Sequence, residues 1–158
     1  MSEQDAKFMK RAIELARIGM DSGSGGPFGC VVARNGEIVA EGSNRVTSTN
    51  DQTAHAEVVA IREACKALNS FQLDGCSVYT SCEPCPMCLG AIYWARPDKV
   101  FFACTRQDAA AVGFDDELIY NELALPNEAR QRVMISLLRD EGVALFKAWA
   151  EKPDKIEY

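Results

Sequence analysis

The nine residues Thr80-Ser81-Cys82-Glu83-Pro84-Cys85-Pro86-Met87-Cys88 decide how the chain is organised. Pro84 predicts a helix start, because proline is tolerated where backbone N–H groups have no partner within the helix. Cys85 and Cys88 are three residues apart, so both thiols lie on one side of that helix. The partial positive charge at a helix N-terminus stabilises thiolate, the form of cysteine that binds metal. The stretch therefore predicts two metal ligands on one helix.

A histidine and a glutamate upstream complete the pattern. His55 is the single histidine of the chain, and it stands two residues before Glu57 in Thr53-Ala54-His55-Ala56-Glu57. The order H-x-E followed by P-C-x-x-C is typical of zinc sites that deaminate nucleobases, where one His and two Cys bind the metal and the Glu transfers protons. Both halves are present in that order and indicate a catalytic zinc site.

Other interpretations of the same residues stay open. A lone histidine is usually a core or surface side chain, and a C-x-x-C pair is often a structural zinc site or a redox pair. Cys82 adds a possible fourth ligand, which with His55, Cys85 and Cys88 would make a closed structural site. Glu57 favours catalysis, because a structural site has no use for the carboxylate, whereas reactions of metal-activated water need a proton shuttle.

Length and charge limit the class of protein and of partner. The chain has 158 residues, of which 47% are hydrophobic, and this size suits a single domain over residues 1–158 with its own core. The net charge of −6 and isoelectric point of about 4.9 disfavour a broad electrostatic attraction to nucleic acid. We therefore expect a small-molecule substrate and no nucleic-acid partner.

The seven cysteines are an odd number, and Met1-Ser2-Glu3-Gln4-Asp5 leads into a charged amphipathic run and not a signal peptide. We expect reduced thiols, a cytoplasmic location and no membrane partner, since no apolar run approaches the length that spans a membrane. Four of the cysteines lie among apolar residues and are expected in the core: Cys30, Cys65, Cys76 and Cys104.

Hydrophobic spacing predicts a helix and then a hairpin in the first third of the chain. The apolar runs 30–33 and 38–40 are joined by Asn35-Gly36, a strong signal for an antiparallel hairpin. Residues 45–53, after Asn44, are predicted to be polar loop. The first helix is predicted from about residue 3 to residue 20, and its apolar side is formed by Met9, Ile13, Ala16 and Met20.

From residue 54 onward the predicted helices and strands alternate. We expect a helix over 54–68 with His55 and Glu57 in its first turn, strands over 76–80 and 100–104, and continuation of the cysteine helix over 89–94. Such alternation indicates parallel strands with helical crossovers. The predicted fold is therefore a three-layer α/β/α sandwich whose mixed sheet has an N-terminal antiparallel hairpin.

The pattern is weaker after Thr105. It predicts short helices over 118–123 and 143–150, the second ended by Lys152-Pro153. Residues 132–138 fit a fifth strand as well as they fit a helix.

Several segments together resemble the cytidine-deaminase-like superfamily, and its purine-acting members above all. The segments are Gly26-Pro27-Phe28-Gly29, Thr53-Ala54-His55-Ala56-Glu57 and Glu83-Pro84-Cys85-Pro86-Met87-Cys88. Three further features are similar to the branch of bacterial guanine deaminases, so that the resemblance covers essentially the whole chain. They are Leu89-Gly90-Ala91-Ile92-Tyr93-Trp94-Ala95-Arg96-Pro97, Gly113-Phe114-Asp115-Asp116 and the terminal Tyr158.

The resemblance implies one zinc ion per subunit, held by His55, Cys85 and Cys88 with water as the fourth ligand, while Cys82 stays off the metal. It also implies that Glu57 is the general acid and base. Asp116 would lie near the departing amine. The implied purine pocket has Phe28 and Trp94 as apolar walls and Asn44 as a hydrogen-bonding partner, and its full set of residues is Phe28, Asn44, Ala56, Trp94 and Tyr158.

The function implied by the resemblance is hydrolytic deamination of guanine to xanthine and ammonia. It also implies a homodimer in which the C-terminal segment is exchanged, so that Tyr158 serves the neighbouring site. Deamination within tRNA, deamination of another amino-heterocycle such as a triazine or cytosine, and a non-catalytic zinc-stabilised binding module stay open. The net negative charge disfavours a tRNA substrate, and the presence of Glu57 disfavours a non-catalytic binding module.

Overall fold

The structure, a computed structural model, describes residues 2–158 and divides them into two units. The first unit ends at Asp116, and the second comprises Glu117–Tyr158. The first unit contains the sheet and all three predicted metal ligands. The expectation of one deaminase domain over residues 1–158 stays a prediction.

The first unit follows the predicted order of helices and strands. It begins with helix α1 (Glu3–Asp21) and the strands β1 (Gly29–Arg34) and β2 (Glu37–Ser43). It continues with α2 (Val46–Thr49), α3 (Ala56–Leu68), β3 (Cys76–Cys82), α4 (Pro86–Ala95), β4 (Lys99–Cys104) and α5 (Arg106–Ala110). The one-turn helix α2 corrects the prediction of polar loop over 45–53, and it ends where Asn50 takes a left-handed φ of 51°.

The second unit contains α6 (Glu117–Leu123), a 3₁₀ turn at Asn127–Ala129 and α7 (Arg139–Glu151). These elements confirm the helices predicted over 118–123 and 143–150. Residues 132–138 form neither a strand nor a helix, so both predicted alternatives are wrong there. Burial does not stabilise a regular element in this segment, because its large apolar side chains are exposed: Val133, Met134, Ile135, Leu137 and Leu138.

Residues 2–158 form a sheet of four strands in the order β2-β1-β3-β4. Strand β1 runs antiparallel to both β2 and β3, whereas β3 and β4 are parallel, which confirms the predicted mixed sheet with an N-terminal hairpin. Asn35 and Gly36 have positive φ values of 52° and 83°, as a two-residue hairpin turn requires.

Helices lie on both faces of the sheet. Successive side chains of a strand point to opposite faces, so each strand contributes to two core clusters. One face packs Val31, Ala33 and Tyr79 against Phe8 and Ala12 of α1. The opposite face carries a second cluster, which includes side chains of β1, β2, β3 and α3: Cys30, Val32, Ala40, Ala56, Ala60, Ala64, Cys76 and Val78. This arrangement confirms the predicted three layers.

Gly42 in β2 lets α3 approach the sheet closely. A Cβ atom at this position would lie 2.3 Å from the backbone oxygen of Ala56 and 2.7 Å from the backbone nitrogen of Ala60. Any side chain would therefore push away the first turn of α3, which carries Glu57. The close approach leaves space only for small residues on the helix, and the buried residues of α3 include Ala60 and Ala64.

The buried side of α1 matches the predicted one only in part, since Ala16 is buried and Met9 packs against the core as predicted. Phe8, Ala12, Ala16 and Gly19 are buried, whereas Ile13 and Met20 are each 44% exposed. Small residues allow α1 to lie close to the strands, and Phe8 contacts Tyr79 with ring centroids 5.2 Å apart. Packing distance, and not hydrophobicity alone, selects the buried face.

Each of the seven cysteines, all of which lie among the described residues, is a free thiol. Cys30 and Cys76 are buried as predicted, and Cys65 is half-buried. Cys104 is exposed, which corrects the prediction of a core position. The reason is that it stands on β4, the edge strand, most of whose side chains are exposed.

Among the helices of residues 2–158, none combines the length and apolar character that crossing a bilayer requires.

Candidate metal centre

Two helix starts meet at the predicted metal ligands. His55 is the N-cap of α3 and Cys85 is the N-cap of α4, with Pro86 in the first turn. The helices therefore begin slightly later than predicted, since α4 starts at Pro86 instead of Pro84 and His55 precedes the first turn of α3. Neither N-cap side chain makes a hydrogen bond that caps its own helix. The side chains of His55 and Cys85 are therefore free of capping bonds and can lie next to each other.

The ligand atoms of His55, Cys85 and Cys88 all lie within 4.8 Å of one another. The imidazole Nδ1 of His55 is 3.5 Å from Sγ of Cys85 and 3.4 Å from Sγ of Cys88. Zn–N and Zn–S bonds of about 2.0 and 2.3 Å at a tetrahedral angle would separate the ligand nitrogen and sulfur atoms by about 3.5 Å. The three residues therefore fit a zinc ion.

Cys82 does not belong to this ligand group. Its thiol is directed to the carbonyl oxygen of Thr105, 3.6 Å away. With three protein ligands the group leaves the fourth tetrahedral position open, which is the arrangement of a catalytic zinc site and not of a structural one.

The two ligand cysteines have pKa values shifted in opposite directions. A hydrogen bond from Cys88, reinforced by His55, lowers the pKa of Cys85 to about 4. The same coupling raises the pKa of the Cys88 thiol, and the nearby Cys85 raises the pKa of His55. One thiolate thus forms readily before any metal arrives. Binding of zinc would release the proton of Cys88, because both sulfurs must be deprotonated as ligands.

Glu57 lies beside the ligands without being one of them. It is only 5% exposed, and burial raises the pKa of its carboxyl group. Its Oε1 atom accepts a hydrogen bond from Oγ1 of Thr80 at 3.0 Å, and its Oε2 atom lies 3.3 Å from Sγ of Cys88. A carboxyl group with a raised pKa next to an open metal position is suited to taking up and returning a proton.

Asn44 organises the loop between α1 and β1. Its Oδ1 atom accepts hydrogen bonds from the N–H groups of Gly26 and Val46, each at 3.2 Å. This pairing fixes Nδ2 as the end of the amide that can donate to a substrate. A Cβ atom on Gly25 would lie 2.4 Å from Oδ1, so the loop wraps closely around the buried amide.

Two aromatic rings stand next to this loop. Phe28 and Phe114 meet edge to face with centroids 4.9 Å apart, and both lie within 3.3 Å of a Cβ atom built on Gly26. The contact brings the Gly113-Phe114-Asp115-Asp116 segment to the loop that Asn44 holds. Phe114 is thus a site residue to which sequence analysis gave no separate role, although its motif was recognised.

The remaining predicted site residues differ in their surroundings. Partial burial raises the pKa of the Asp116 carboxyl group, and the negative charge of Cys85 raises it further. Ala56 is fully buried in the core cluster. Trp94 is exposed at the end of α4, and Tyr158 belongs to the second unit, where it is also exposed.

Thr80 is the residue at this site that sequence analysis missed. Sequence analysis treated it only as part of the apolar strand β3. The feature that could have revealed its role is a hydroxyl group two residues after Val78, on the side of the strand that is buried.

Comparison with known proteins agrees with this geometry. The profile of the cytidine and deoxycytidylate deaminase zinc-binding region matches residues 2–104, about two thirds of the chain. The chain belongs to this family. It is a zinc-binding deaminase domain, and the His55, Cys85 and Cys88 group fits its one zinc site.

Relatives within the family differ in how much of the chain they match. Guanine deaminase of Bacillus subtilis is 55% identical over 151 residues, which cover 96% of this chain and 97% of that protein. The X-ray structure of guanine deaminase from Bacillus subtilis has a TM-score of 0.95 at 53% identity and covers 100% of this chain and 99% of its own. The tRNA-specific adenosine deaminase of Bacillus subtilis is 43% identical over 99 residues, or 63% of this chain and 61% of that protein.

The three-ligand arrangement predicts how cysteine variants retain metal. Cys85→Ala and His55→Ala should lose the zinc ion, because two protein ligands remain. Cys82→Ala should keep it, since the Cys82 thiol points to the Thr105 carbonyl. The measurement is zinc per chain by atomic spectrometry after dialysis against a mild chelator. Equal loss of zinc from Cys82→Ala and Cys85→Ala would show a closed four-ligand site.

Proposed function

We propose that this protein catalyses the zinc-dependent hydrolytic deamination of guanine to xanthine and ammonia. The observation that carries the proposal is the buried carboxyl group of Glu57, which lies 3.3 Å from Sγ of Cys88 yet outside the ligand group. A structural zinc site has no use for such a group. The match to guanine deaminase over nearly the full length of both chains supports guanine as the substrate.

The chemistry requires a nucleophile at neutral pH and a group that moves protons. When bound, the zinc ion lowers the pKa of a coordinated water from about 15.7 toward about 7. Glu57 takes one proton of the attacking water on Oε2, the oxygen that faces the ligand cysteines, and delivers it to a ring nitrogen of guanine while the water oxygen bonds to C2. Glu57 then passes the second proton of that oxygen to the amine on C2. The C2–N bond breaks, ammonia leaves, and the C2 carbonyl group of xanthine forms. Proton transfer by a positioned group typically contributes about 10²- to 10⁴-fold to the rate.

The residues around Asn44 supply the substrate contacts in this proposal. The Nδ2 group of Asn44 donates to an acceptor on the purine edge, because its Oδ1 atom is already paired with backbone N–H groups. Phe28, in contact with Phe114, forms an apolar wall for the ring. The backbone at Ala56 and the indole of Trp94 complete the proposed pocket, and in the proposed homodimer the phenol of Tyr158 closes the pocket of the neighbouring subunit.

Asp116 assists the departing amine in this proposal. Burial raises the pKa of its carboxyl group, so it is better able to exchange a proton than an exposed aspartate. Such a group acts on the leaving step and not on the initial binding of guanine.

Deamination within tRNA is the second candidate, and the similarity to a tRNA-specific adenosine deaminase is its specific support. The match covers less than two thirds of either chain, whereas the match to guanine deaminase extends over almost all of both. The net charge of −6 also gives little electrostatic attraction to RNA. Free guanine is therefore the better-supported substrate.

The proposal predicts a strong preference among candidate substrates. Guanine should react much faster than adenine, cytidine or tRNA. Guanosine should be poor, because a ribose would not fit a pocket that is closed, in the proposed homodimer, by Tyr158 of the partner subunit. Unpaired polar groups in a buried site can reject a wrong base by about 10⁴- to 10⁵-fold. The measurement is kcat/KM for each compound from ammonia release, with a triazine and cytosine in the panel. Faster reaction of tRNA, or inert guanine with reactive cytidine, would contradict the substrate assignment.

Two variants in the same assay separate chemistry from binding. Asp116→Asn should lower kcat for guanine more than it raises KM, because the carboxyl group assists the leaving amine. Deleting Tyr158 should both lower kcat and raise KM for guanine. An Asp116→Asn enzyme with unchanged kcat and raised KM would assign this residue to binding instead.

We also propose a cytoplasmic homodimer in which the segment after Asp116 is exchanged between subunits. Within the first unit, the edge strand β4 exposes Val100 and Phe102. Within the second unit, Ile135 and Leu137 are 84% and 82% exposed, and Leu145 and Phe146 on α7 are exposed as well. Apolar surface of this extent is typical of an interface. The seven free cysteines are typical of a reducing compartment.

Sedimentation tests the homodimer. The protein should sediment at twice the mass of one 17.3 kDa chain at micromolar concentration. A monomer that turns over guanine at the same concentration would contradict an exchanged segment and a shared site.

A further inference from the structure

Few polar side chains are buried in residues 2–158, and each makes a specific hydrogen bond. Asn44 accepts from two backbone N–H groups, and Oγ of Ser81 accepts from the N–H of Gly29 at 3.0 Å. The other two are Glu57 and Thr80, which are bonded to each other. Asn44 and Ser81 organise backbone, whereas the hydroxyl of Thr80 contacts the side chain that moves protons in the proposed reaction.

Thr80 occupies a position where an apolar residue would satisfy the fold. It faces the same layer as Cys76 and Val78, which belong to the core cluster under α3. Valine has nearly the same shape as threonine, so the hydroxyl adds nothing to packing. A buried hydroxyl costs free energy unless it is hydrogen-bonded. Its presence therefore needs a reason, and its partner is Oε1 of Glu57.

The hydroxyl is held by rigid surroundings. Thr80 is 1% exposed in the central part of the sheet and is paired with Cys30 on one side and Phe102 on the other. A β-branched side chain in a strand has few accessible χ1 rotamers. The donor position is thus set by the sheet, and the carboxylate adapts to it.

This bond makes the two carboxylate oxygens of Glu57 different. Oε1 accepts the hydrogen of Thr80, and Oε2 faces the sulfur of Cys88. Thr80 therefore holds Oε1 on the side of the strand, and Oε2 is left on the side of the ligand group. The oxygen that remains for proton transfer is the one directed at the ligand group.

We propose that Thr80 is a positioning residue for Glu57, which anchors Oε1 so that Oε2 is directed at the ligand group. The inference rests on the proposed deamination for its kinetic consequence, while the bond itself is independent of any substrate. Small errors in the position of a catalytic group lower rates strongly, so the anchor acts on turnover and not on affinity.

The test compares variants that differ only in the hydroxyl. Thr80→Ser and Thr80→Ala both lack the methyl group, so the ratio of their kcat values isolates the hydrogen bond. Loss of a hydrogen bond to a charged group should make kcat of Thr80→Ala about 10- to 100-fold lower than that of Thr80→Ser. KM should stay within about threefold, because the anchor does not contact guanine. Thr80→Val, which keeps the shape, should follow Thr80→Ala, and all three should retain one zinc ion per chain.

Tyr79→Phe is the matched control on the same strand. It also removes a hydroxyl that donates to a carboxylate, Oδ1 of Asp5 at 2.8 Å, but on the opposite face of the sheet. This variant should lose stability while kcat stays unchanged. The comparison separates the role of Thr80 from a general effect of weakening β3.

A stability measurement tests the bond without any substrate. In zinc-loaded protein, Thr80→Val should lower the urea midpoint more in the parent than in a Glu57→Gln background, because a hydroxyl bonds a carboxylate more strongly than an amide.

Equal kcat for Thr80→Ser and Thr80→Ala, or equal midpoint shifts in the two backgrounds, would overturn the inference. A raised KM at unchanged kcat would do the same. If the parent protein released no ammonia from guanine, the proposed function would fail, and the midpoint shifts would still decide whether Thr80 anchors Glu57.

Discussion

The structure around the metal ligands depends on the burial of one carboxyl group. Glu57 lies in the first turn of α3 and is almost completely removed from solvent, which disfavours its charged form. The fold compensates with the hydroxyl of Thr80, which donates a hydrogen bond to Oε1 of Glu57. It also brings α3 against the sheet over Gly42, where no side chain stands between strand and helix. The same contact places His55 opposite the start of α4.

Short-range patterns explain why much of this could be predicted from sequence. The hairpin depends on Asn35-Gly36, whose positive φ angles are a local property of those residues. The metal ligands depend on the spacing of Cys85 and Cys88 and on the order of His55 and Glu57, which is a property of helix geometry. These features need no knowledge of distant contacts, and the structure agrees with the fold class they predict.

The differences arise where long-range packing decides. The buried side of α1 is set by how closely the helix approaches the strands, so small residues such as Ala12 replace Ile13 in the core. The partner of Thr80 is 23 residues away in sequence and is reached only through the packing of α3 on the sheet. In the second unit, residues 132–138 have the hydrophobicity of an ordered element but bury little of it, so local pattern does not determine their structure.

The central claim is that Glu57 transfers protons beside a zinc ion that it does not ligate. The most direct measurement is ammonia release from guanine by Glu57→Gln, combined with zinc content and the denaturation midpoint of the same sample. The amide is nearly isosteric but cannot accept a proton from water. We predict that this variant keeps one zinc ion per chain and stays folded, while kcat falls by about 10²- to 10⁴-fold. Activity near that of the parent protein, or loss of zinc together with activity, would contradict this claim.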